Sequence, residues 1–393
     1  MAWDIQSISA IVFLISLSLF LYTKRKKLKT QGYFPLLYFS MYKTKIGLKL
    51  MDKLSKKFNK TLKFLGYAGI VIGFLGMILL SFSLIQNIYN LIITPEAAPG
   101  VGLVLPFKMK GAFFVPFFYW IISIFIIALV HEYAHGVIAR VHNLKVKSSG
   151  FAFLGILVPI IPAAFVEPDE KALRKRPHKQ QLSVFAAGPF ANILLAFLVL
   201  GLSSLMLSPI VGSMVEYSGV EITGFIEGQY PAEKAGIGEG EIVAAINGKE
   251  IATLDDFTNS LKDKSPGTKI SLKTDKKEYN LALAKNPEDK NLGYLGIYVQ
   301  QESKIKSSFK EKYGNSIPEV IIWISGLFYW LIILNLGIGL FNLVPIGPLD
   351  GGRMLQLALQ RFFKKKSADK IWYYISMTFL FIVITNIGFA FVK

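Results

Sequence analysis

The chain has 393 residues, of which 52% are hydrophobic and only 18% are charged, and its mean hydropathy is +0.45. This composition excludes an ordinary soluble protein and indicates a polytopic membrane protein. The net charge of +18 falls mainly in short basic stretches beside the apolar runs. We interpret these stretches as topology determinants and not as nucleic-acid contacts. Since cysteine is absent, any metal ion would be held by histidine and carboxylate ligands.

Six apolar runs are each long enough, at about 20 residues, to span a bilayer. They cover residues 5–22, 65–93, 113–140, 184–210, 320–343 and 371–392. The first run lacks a preceding basic stretch and a small-residue cleavage site, so we interpret it as a retained span and not a signal peptide. The positive-inside rule places the basic stretches in the cytoplasm and the N-terminus outside. We expect an integral protein of the cell membrane of a prokaryote.

Two further segments precede the third span. Residues 33–58 mix basic with aromatic and aliphatic residues, a pattern typical of a helix lying on an anionic leaflet, although a solvated linker helix fits it equally well. Residues 94–111 are rich in proline and glycine and cannot span as a helix. We expect this second segment to cap the functional site from outside or to dip into the membrane as a loop.

The third span contains His131-Glu132-Tyr133-Ala134-His135, with two of the four histidines in the chain. Residues four apart share a helix face, so His131 and His135 can direct two ring nitrogens at one ion about 2 Å from each, which suits zinc. Glu132 is rotated by about 100° and can reach a metal-bound water as a general base. Polar residues at membrane depth cost about 2.5–3.5 kcal/mol each on insertion scales, which favours a functional site over structural histidines.

Residues 150–166 are apolar but carry two glycines and two prolines. This segment is too interrupted to span as a helix and too apolar for a cytoplasmic linker. We expect extended, hairpin-like structure against the membrane, with an edge strand that can pair with an unwound peptide. Simple packing into the bundle is the alternative.

Residues 213–300 contain strand-like runs separated by turn signals, as in a small soluble domain. The strings YPAEKAGI (230–237), GEIV (240–243) and ING (246–248) resemble a bacterial-type PDZ domain, although those domains commonly have Gly-Asp where this chain has Gly240-Glu241. The resemblance implies that a peptide binds by strand addition, and we expect the strand near 219–223 to line the groove. An autoinhibitory or purely steric role is the alternative.

A catalytic zinc site needs a third protein ligand, and three routes are open. His142 lies seven residues beyond His135, about 10 Å along the axis, so it reaches the same ion only if the helix breaks. Glu167 and Asp169 lie at a basic edge, where we expect them to pair with lysine and arginine.

Asp350 is the remaining candidate. It lies in NLVPIGPLDGGR (342–353), where prolines and glycines interrupt a long apolar run. Irregular backbone at membrane depth must face protein or a water-filled cavity, so we expect Asp350 to line the pocket of the histidines. Pairing of Asp350 with Arg353 at the membrane edge is the alternative.

The His131-Glu132-x-x-His135 motif in a membrane helix, the downstream NLVPIGPLDG string and the PDZ-like insertion together resemble the site-2 protease family of intramembrane zinc metalloproteases. GPFAN (188–192) also resembles the family's segment on the intervening helix, whereas the family frequently has proline in place of Gly347. The resemblance covers roughly residues 113–360. It implies one zinc ion per chain, held by His131, His135 and Asp350, with Glu132 as the catalytic base.

The implied reaction is hydrolysis of peptide bonds in or near the transmembrane helices of membrane-protein substrates, as in regulated intramembrane proteolysis. A substrate helix must unwind before its carbonyls become accessible, so we expect helix-weakening residues near the cut. The soluble domain is expected to admit chains whose ectodomains are already trimmed. Asn192 and Asn342 are candidates for holding the substrate backbone or supporting the oxyanion, with helix–helix hydrogen bonding as the alternative.

We therefore expect an α-helical polytopic membrane protein with about six transmembrane helices and one inserted α/β PDZ-like domain. The predicted divisions are an N-terminal span with a basic segment (1–61), a core with the metal motif (62–212), a non-cytoplasmic PDZ-like domain (213–312) and a C-terminal core with the aspartate loop (313–393). Two other functions stay open, namely a zinc transporter and a non-catalytic PDZ membrane adaptor. The expected partners are membrane-protein substrates and the lipid bilayer, with no nucleic acid.

Overall fold

The computed structural model describes residues 5–33, 37–94, 97–156, 158–226, 228, 230–287 and 289–392. The chain forms two compact units. The helical unit comprises Met1–Ser203 and Ser325–Lys393, and the β-rich unit comprises Ser204–Ile324.

The first part of the helical unit alternates long apolar helices with short strands. Its elements are α1 (Ile5–Lys24), a 3-10 turn (Arg25–Lys27), β1 (Leu28–Tyr33), β2 (Leu37–Thr44), α2 (Leu48–Lys57), α3 (Asn59–Ile93), β3 (Leu103–Leu105), β4 (Ala112–Phe114), α4 (Phe117–Val141), β5 (Val146–Ile156), β6 (Val158–Pro168), α5 (Glu170–Leu173) and α6 (His178–Leu202).

The β-rich unit and the return to the helical unit follow. The elements are a π-helical turn (Ser203–Leu207), α7 (Ser208–Met214), β7 (Val215–Phe225), α8 (Pro231–Lys234), β8 (Ile242–Ile246), β9 (Lys249–Glu250), α9 (Leu254–Leu261), β10 (Lys269–Thr274), β11 (Glu278–Ala282), β12 (Ala284–Lys285), β13 (Gly293–Tyr294), β14 (Ile297–Ile305), α10 (Ser307–Tyr313), α11 (Ser316–Phe341), α12 (Asp350–Phe362) and α13 (Lys365–Val392).

Six helical segments among the described residues are long and apolar enough to cross a membrane. They are Ile8–Lys27, Asn59–Ile93, Phe117–Val141, His178–Met214, Ser316–Phe341 and Lys365–Val392. Each overlaps one of the six predicted runs, and this confirms the expected polytopic helical architecture. Many large apolar side chains on these helices are exposed, as expected of surfaces that face lipid instead of water.

Residues 150–156 and 158–166 form the predicted hairpin: β5 and β6 pair antiparallel, with Gly150 opposite Phe165 and Ala152 opposite Ala163. The hairpin belongs to a four-stranded antiparallel sheet in the order β1-β2-β5-β6. β6 is therefore an edge strand, and it packs against α4 and α1.

The prediction of a helix throughout residues 33–58 is wrong for its first part. Residues 37–44 form β2, which extends the sheet by pairing with β5, and only Leu48–Lys57 is helical. The described part of the predicted loop, residue 94 and residues 97–111, contains no spanning helix, as predicted. Gly100 N donates to Asn386 Oδ1 at 3.0 Å, and Trp120 Nε1 donates to the Val104 carbonyl at 3.1 Å, so this loop is tied to α13 and α4.

The β-rich unit is built on a sheet in the order β11-β10-β8-β7-β14, with β9 paired to β8. Its core is a cluster of fully buried aliphatic side chains that includes Val220, Ile222, Val243 and Leu272. The predicted peptide-binding strand at 219–223 lies in β7, which pairs with β8 on one side and β14 on the other. That groove prediction is wrong because neither edge of β7 is free; the sheet ends in β11 and β14.

Candidate metal centre

The two motif histidines lie on α4, an unbroken 25-residue helix with no internal proline. Their side chains are 11% and 12% exposed, and the Nε2 atoms of His131 and His135 are 3.2 Å apart. The four-residue spacing therefore brings both rings to one point, as the sequence predicted.

Asp350 approaches the histidines from the start of α12. The loop before it folds back so closely that Gly351 N donates to the Asn342 carbonyl at 2.8 Å. A Cβ atom at Gly351 would collide with the Leu343 backbone, and one at Gly352 with the Ile346 backbone. The two glycines after the aspartate thus permit the tight loop that carries Asp350 to the centre. Within the described chain, no ion pair joins Asp350 to Arg353, so the alternative pairing is not supported.

Three side-chain atoms converge at this centre. Asp350 Oδ2 lies 3.1 Å from His131 Nε2 and 3.3 Å from His135 Nε2. Two ligands each about 2.1 Å from a tetrahedral ion lie about 3.4 Å apart, so the three separations of 3.1–3.3 Å fit zinc. A carboxylate and two imidazole nitrogens also form a donor set that zinc favours.

The orientation of His135 is fixed by a backbone carbonyl on α6. His135 Nδ1 lies 2.6 Å from the Val184 oxygen. A carbonyl only accepts, so Nδ1 carries the hydrogen and Nε2 of the neutral ring presents its lone pair to the centre.

The other ring nitrogen of His131 faces Asn192, also on α6. Asn192 Nδ2 lies 3.2 Å from His131 Nδ1, and the side chain is fully buried. Between these two contacts, Gly188 leaves room for the rings, because a Cβ atom there would lie 2.5 Å from His131 Nε2 and would also clash with His135 Nε2. Asn192 therefore lies beside His131 and is not among the residues that line the cavity described below.

Glu132 is adjacent to the three converging atoms without joining them. Its carboxylate and the ring nitrogens of both histidines lie within 4.8 Å of one another. Its Oε2 accepts a hydrogen bond from the backbone N–H of Val166 at 3.0 Å. Val166 lies on edge strand β6, so the predicted base is held by the same strand that borders the centre.

The centre opens into a cavity of about 630 Å³. His131, Glu132, His135, Asp350 and Asn342 are among the residues that line it. Its other walls include Lys43, Lys147, Glu167, Glu170, Lys171 and Arg353. Residues of the hairpin and of the aspartate loop, two of the interrupted segments noted in the sequence, form part of this polar lining.

The alternative ligands lie elsewhere. His142 Nε2 is 2.7 Å from Ser183 Oγ, and burial beside Lys63 and Arg176 lowers the pKa of His142 to about 4. Glu167 pairs with Lys43 at 2.5 Å, and Asp169 pairs with Lys147 at 3.5 Å. These carboxylates bind basic side chains, as predicted.

Asn342 lines the cavity, and its Nδ2 donates to the Ile338 carbonyl at 2.9 Å. Sequence reasoning missed three backbone features of the centre: the Val184 carbonyl, the Val166 N–H and the space at Gly188. The spacing 184–188–192 in α6 repeats every four residues, as the motif histidines do, and is a signal that could have indicated one facing surface.

The chain is similar in sequence to a family of peptidases and to several known proteins. The profile of peptidase family M50 matches residues 119–383. Protein MJ0971 of Methanocaldococcus jannaschii is 29% identical over 80% of this chain and 75% of its own length. Zinc metalloprotease RasP of Shouchella clausii is 25% identical over 51% of this chain and 58% of its own. The regulator of sigma-W protease RasP of Bacillus subtilis is 24% identical over 50% of this chain and 54% of its own.

Among solved structures, the PDZ domain of the SdrC-like protein from Listeria monocytogenes aligns with 21% of this chain and 88% of that domain. The aligned residues are 16% identical, and the TM-score is 0.19.

Proposed function

Since the chain belongs to peptidase family M50 and is an intramembrane zinc metalloprotease, we propose that one zinc ion per chain is held by His131, His135 and Asp350. The observation that carries this assignment is the convergence of two Nε2 atoms and one carboxylate oxygen at 3.1–3.3 Å. The family match does not favour the transporter or the adaptor. The protein is an integral membrane protein related to membrane proteases of prokaryotes, and its substrates are membrane proteins.

Glu132 is the proposed general base. Zinc, when bound, supplies Lewis acidity that polarises a carbonyl and lowers the pKa of water. The carboxylate of Glu132 lies close enough to the histidines to take a proton from a water molecule between them and to pass it to the leaving amine. The 630 Å³ cavity supplies the water that hydrolysis consumes.

The substrate backbone is proposed to pair with the free edge of β6. Val166 N–H faces Glu132, and the backbone groups of Ala164, two residues earlier, point to the same side of the strand. An unwound substrate segment can add there as a fifth strand and gain the backbone hydrogen bonds that it lost by unwinding. Helix-weakening residues near the cut lower the cost of that step.

Asn342 is proposed to hold the substrate or to support the oxyanion, because it lines the cavity beside Asp350 and its amide oxygen can still accept. The same role remains a prediction for Asn192. The contact of Asn192 with His131 supports a different role, which is argued below.

Glu132→Gln tests the mechanism. The amide keeps the shape of the side chain but cannot accept the water proton, so cleavage of a model transmembrane peptide should fall by about 100-fold or more. Zinc content, measured on the same purified full-length protein, should stay near one ion per chain. Equal cleavage by wild type and variant would overturn the assignment of the base.

The β-rich unit is proposed to act outside the cytoplasm as a PDZ-like filter for substrates with trimmed ectodomains. The proposed topology places the N-terminus outside and rests on the basic stretches, which the positive-inside rule assigns to the cytoplasm. With both edges of β7 paired, the free edge of β14 replaces residues 219–223 as the strand to which a peptide would add.

Deletion of residues 213–300 tests the filter. The deleted protein should cleave untrimmed and trimmed substrates at similar rates, whereas the full chain should prefer trimmed ones. Unchanged selectivity after deletion would contradict this role. The predicted divisions at 1–61, 62–212, 213–312 and 313–393 serve as the boundaries for such variants.

A further inference from the structure

One face of α6 contacts both motif histidines at three positions spaced four residues apart. Val184 reaches His135 through its carbonyl, Asn192 reaches His131 through its amide, and Gly188 lies between them against both Nε2 atoms. Residues at this spacing lie on one side of a helix. Helix α6 therefore contacts both proposed zinc ligands.

The two contacts differ in what they specify. The Val184 carbonyl can only accept, so it fixes the Nδ1–H tautomer of His135. An asparagine amide has a donor and an acceptor end, and rotation about its last side-chain bond exchanges them. The Asn192 contact is therefore compatible with either tautomer of His131.

The side of the His131 ring that faces the metal centre determines which tautomer is required. His131 Nε2 points at Asp350 Oδ2 and His135 Nε2. If Nε2 binds zinc, the hydrogen of the neutral ring must be on Nδ1, and Nδ1 then needs an acceptor. Asn192 as described directs Nδ2 toward this nitrogen, while its Oδ1 is buried and makes no hydrogen bond. Exchanging the two ends sacrifices no other hydrogen bond and gives Nδ1–H its acceptor.

We infer that Asn192 is a positioning residue for the metal, whose amide oxygen accepts the Nδ1–H of His131. Together with the Val184 carbonyl, it makes α6 the element that sets the tautomer and ring angle of both histidines. Gly188 permits the close approach that both contacts need. This inference rests on the proposed zinc site, and it adds a role for an asparagine that does not line the cavity.

Zinc affinity of the purified full-length protein tests the inference, measured by competition with a chelator. Asn192→Leu removes the acceptor while keeping similar volume, and it should raise the zinc Kd by about 10–100-fold. Asn192→Asp keeps an acceptor at the same place but has no donor, and its Kd should stay within about threefold of wild type.

Asn335→Leu is the matched control. Asn335 is also a fully buried amide with an unpartnered Oδ1, but it lies on α11, and its Nδ2 donates to the Leu331 carbonyl at 2.7 Å. This variant should leave the zinc Kd unchanged. Thermal midpoints of all three variants show whether any change in Kd reflects unfolding.

Each of these measurements can overturn the inference. Wild-type zinc affinity in Asn192→Leu would overturn the inference. Asn192→Asp weakened as much as Asn192→Leu would also overturn it, because it would show that the amide donates to His131. If the wild-type protein bound no zinc at all, the proposed zinc site itself would fail, which is a distinct result.

Discussion

Two buried carboxylates, one in each unit, lie in opposite surroundings. Glu241 in the β-rich unit is 4% exposed, and its oxygens accept from Gly238 N, Thr274 Oγ1 and Tyr279 Oη at 2.7–3.0 Å. Asp350 in the helical unit faces His131 and His135, whose facing nitrogens are acceptors when both rings carry their hydrogens on Nδ1.

The difference separates a structural acid from a proposed metal ligand. Glu241 is surrounded by hydrogen-bond donors from the fold, so its negative charge needs no further partner. At Asp350, three acceptors converge when both rings carry their hydrogens on Nδ1, and a cation between them would relieve their mutual repulsion. Burial alone does not distinguish the two sites, whereas the balance of donors and acceptors does.

The largest expected effect is at Asp350. Asp350→Ala removes one of three proposed ligands and should weaken zinc binding by more than about 100-fold, beyond the loss usual for an outer partner. Cleavage should be lost with it. The matched control is Asp369→Asn, since Asp369 bonds to Gln356 and Gln360 and not to the histidines. Equal zinc content in Asp350→Ala and wild type would show that Asp350, like Glu241, is not needed for zinc binding.

Glu241→Ala should instead destabilise the β-rich unit by about 2–4 kcal/mol, because it leaves buried donors without an acceptor. Hydrogen exchange of residues 215–305 in the full chain measures this loss, while zinc content should not change. Glu239→Ala provides the control, since Glu239 is exposed on the same turn. Similar exchange in both variants would show that the donors around Glu241 are dispensable.

The same carboxylate predicts a pH dependence. Burial alone would raise the pKa of Glu241, but hydrogen bonds from Thr274, Gly238 and Tyr279, with the charge of Lys276, lower the pKa below its usual 4.5. The unfolded chain then protonates first as the pH falls. The stability from Glu241 is thus complete above pH 4.5 and is lost as the pH drops through the folded-state pKa.

Amide hydrogen exchange in residues 215–305 should accelerate more on acidification in wild type than in Glu241→Gln, because the variant has no carboxylate to protonate at this position. Parallel pH profiles for the two proteins would be the contrary result.

The smallest effect is expected at a half-exposed pair. Lys43 and Glu167 are 2.5 Å apart, but their side chains are 30% and 40% exposed, so solvent screens the attraction. Lys43→Met should change the unfolding free energy of the full chain by less than about 1 kcal/mol. A loss as large as that of Glu241→Ala would mean that exposure does not separate these carboxylates.

Much of the membrane-embedded architecture was predictable from the sequence. Apolar runs of sufficient length predict spans, and the spacing of His131 and His135 places them on one face. The meeting of these residues with Asp350 could only be inferred, because the contact joins positions 219 residues apart.

Strand pairing was less predictable. Residues 37–44 are rich in aromatic residues and lead into a basic stretch, and the sequence alone predicts that they belong to an amphipathic helix, yet pairing with β5 makes them a strand. Similarly, β7 has no free edge because β14, about 80 residues later, pairs with it. In both cases a partner distant in sequence decides the outcome, and local patterns do not encode such partners.

The bond from Val166 N–H to Glu132 has a consequence for timing. A single N–H cannot donate at full strength to two acceptors. If a substrate strand pairs with the β6 edge at Val166, its carbonyl competes with Glu132 for that hydrogen. Glu132 Oε2 would then be released from the strand when the peptide arrives and would bind the strand again when the peptide leaves. Without substrate, this oxygen of Glu132 would thus stay bound to β6, and binding of the substrate strand would free it beside the peptide bond to be cut.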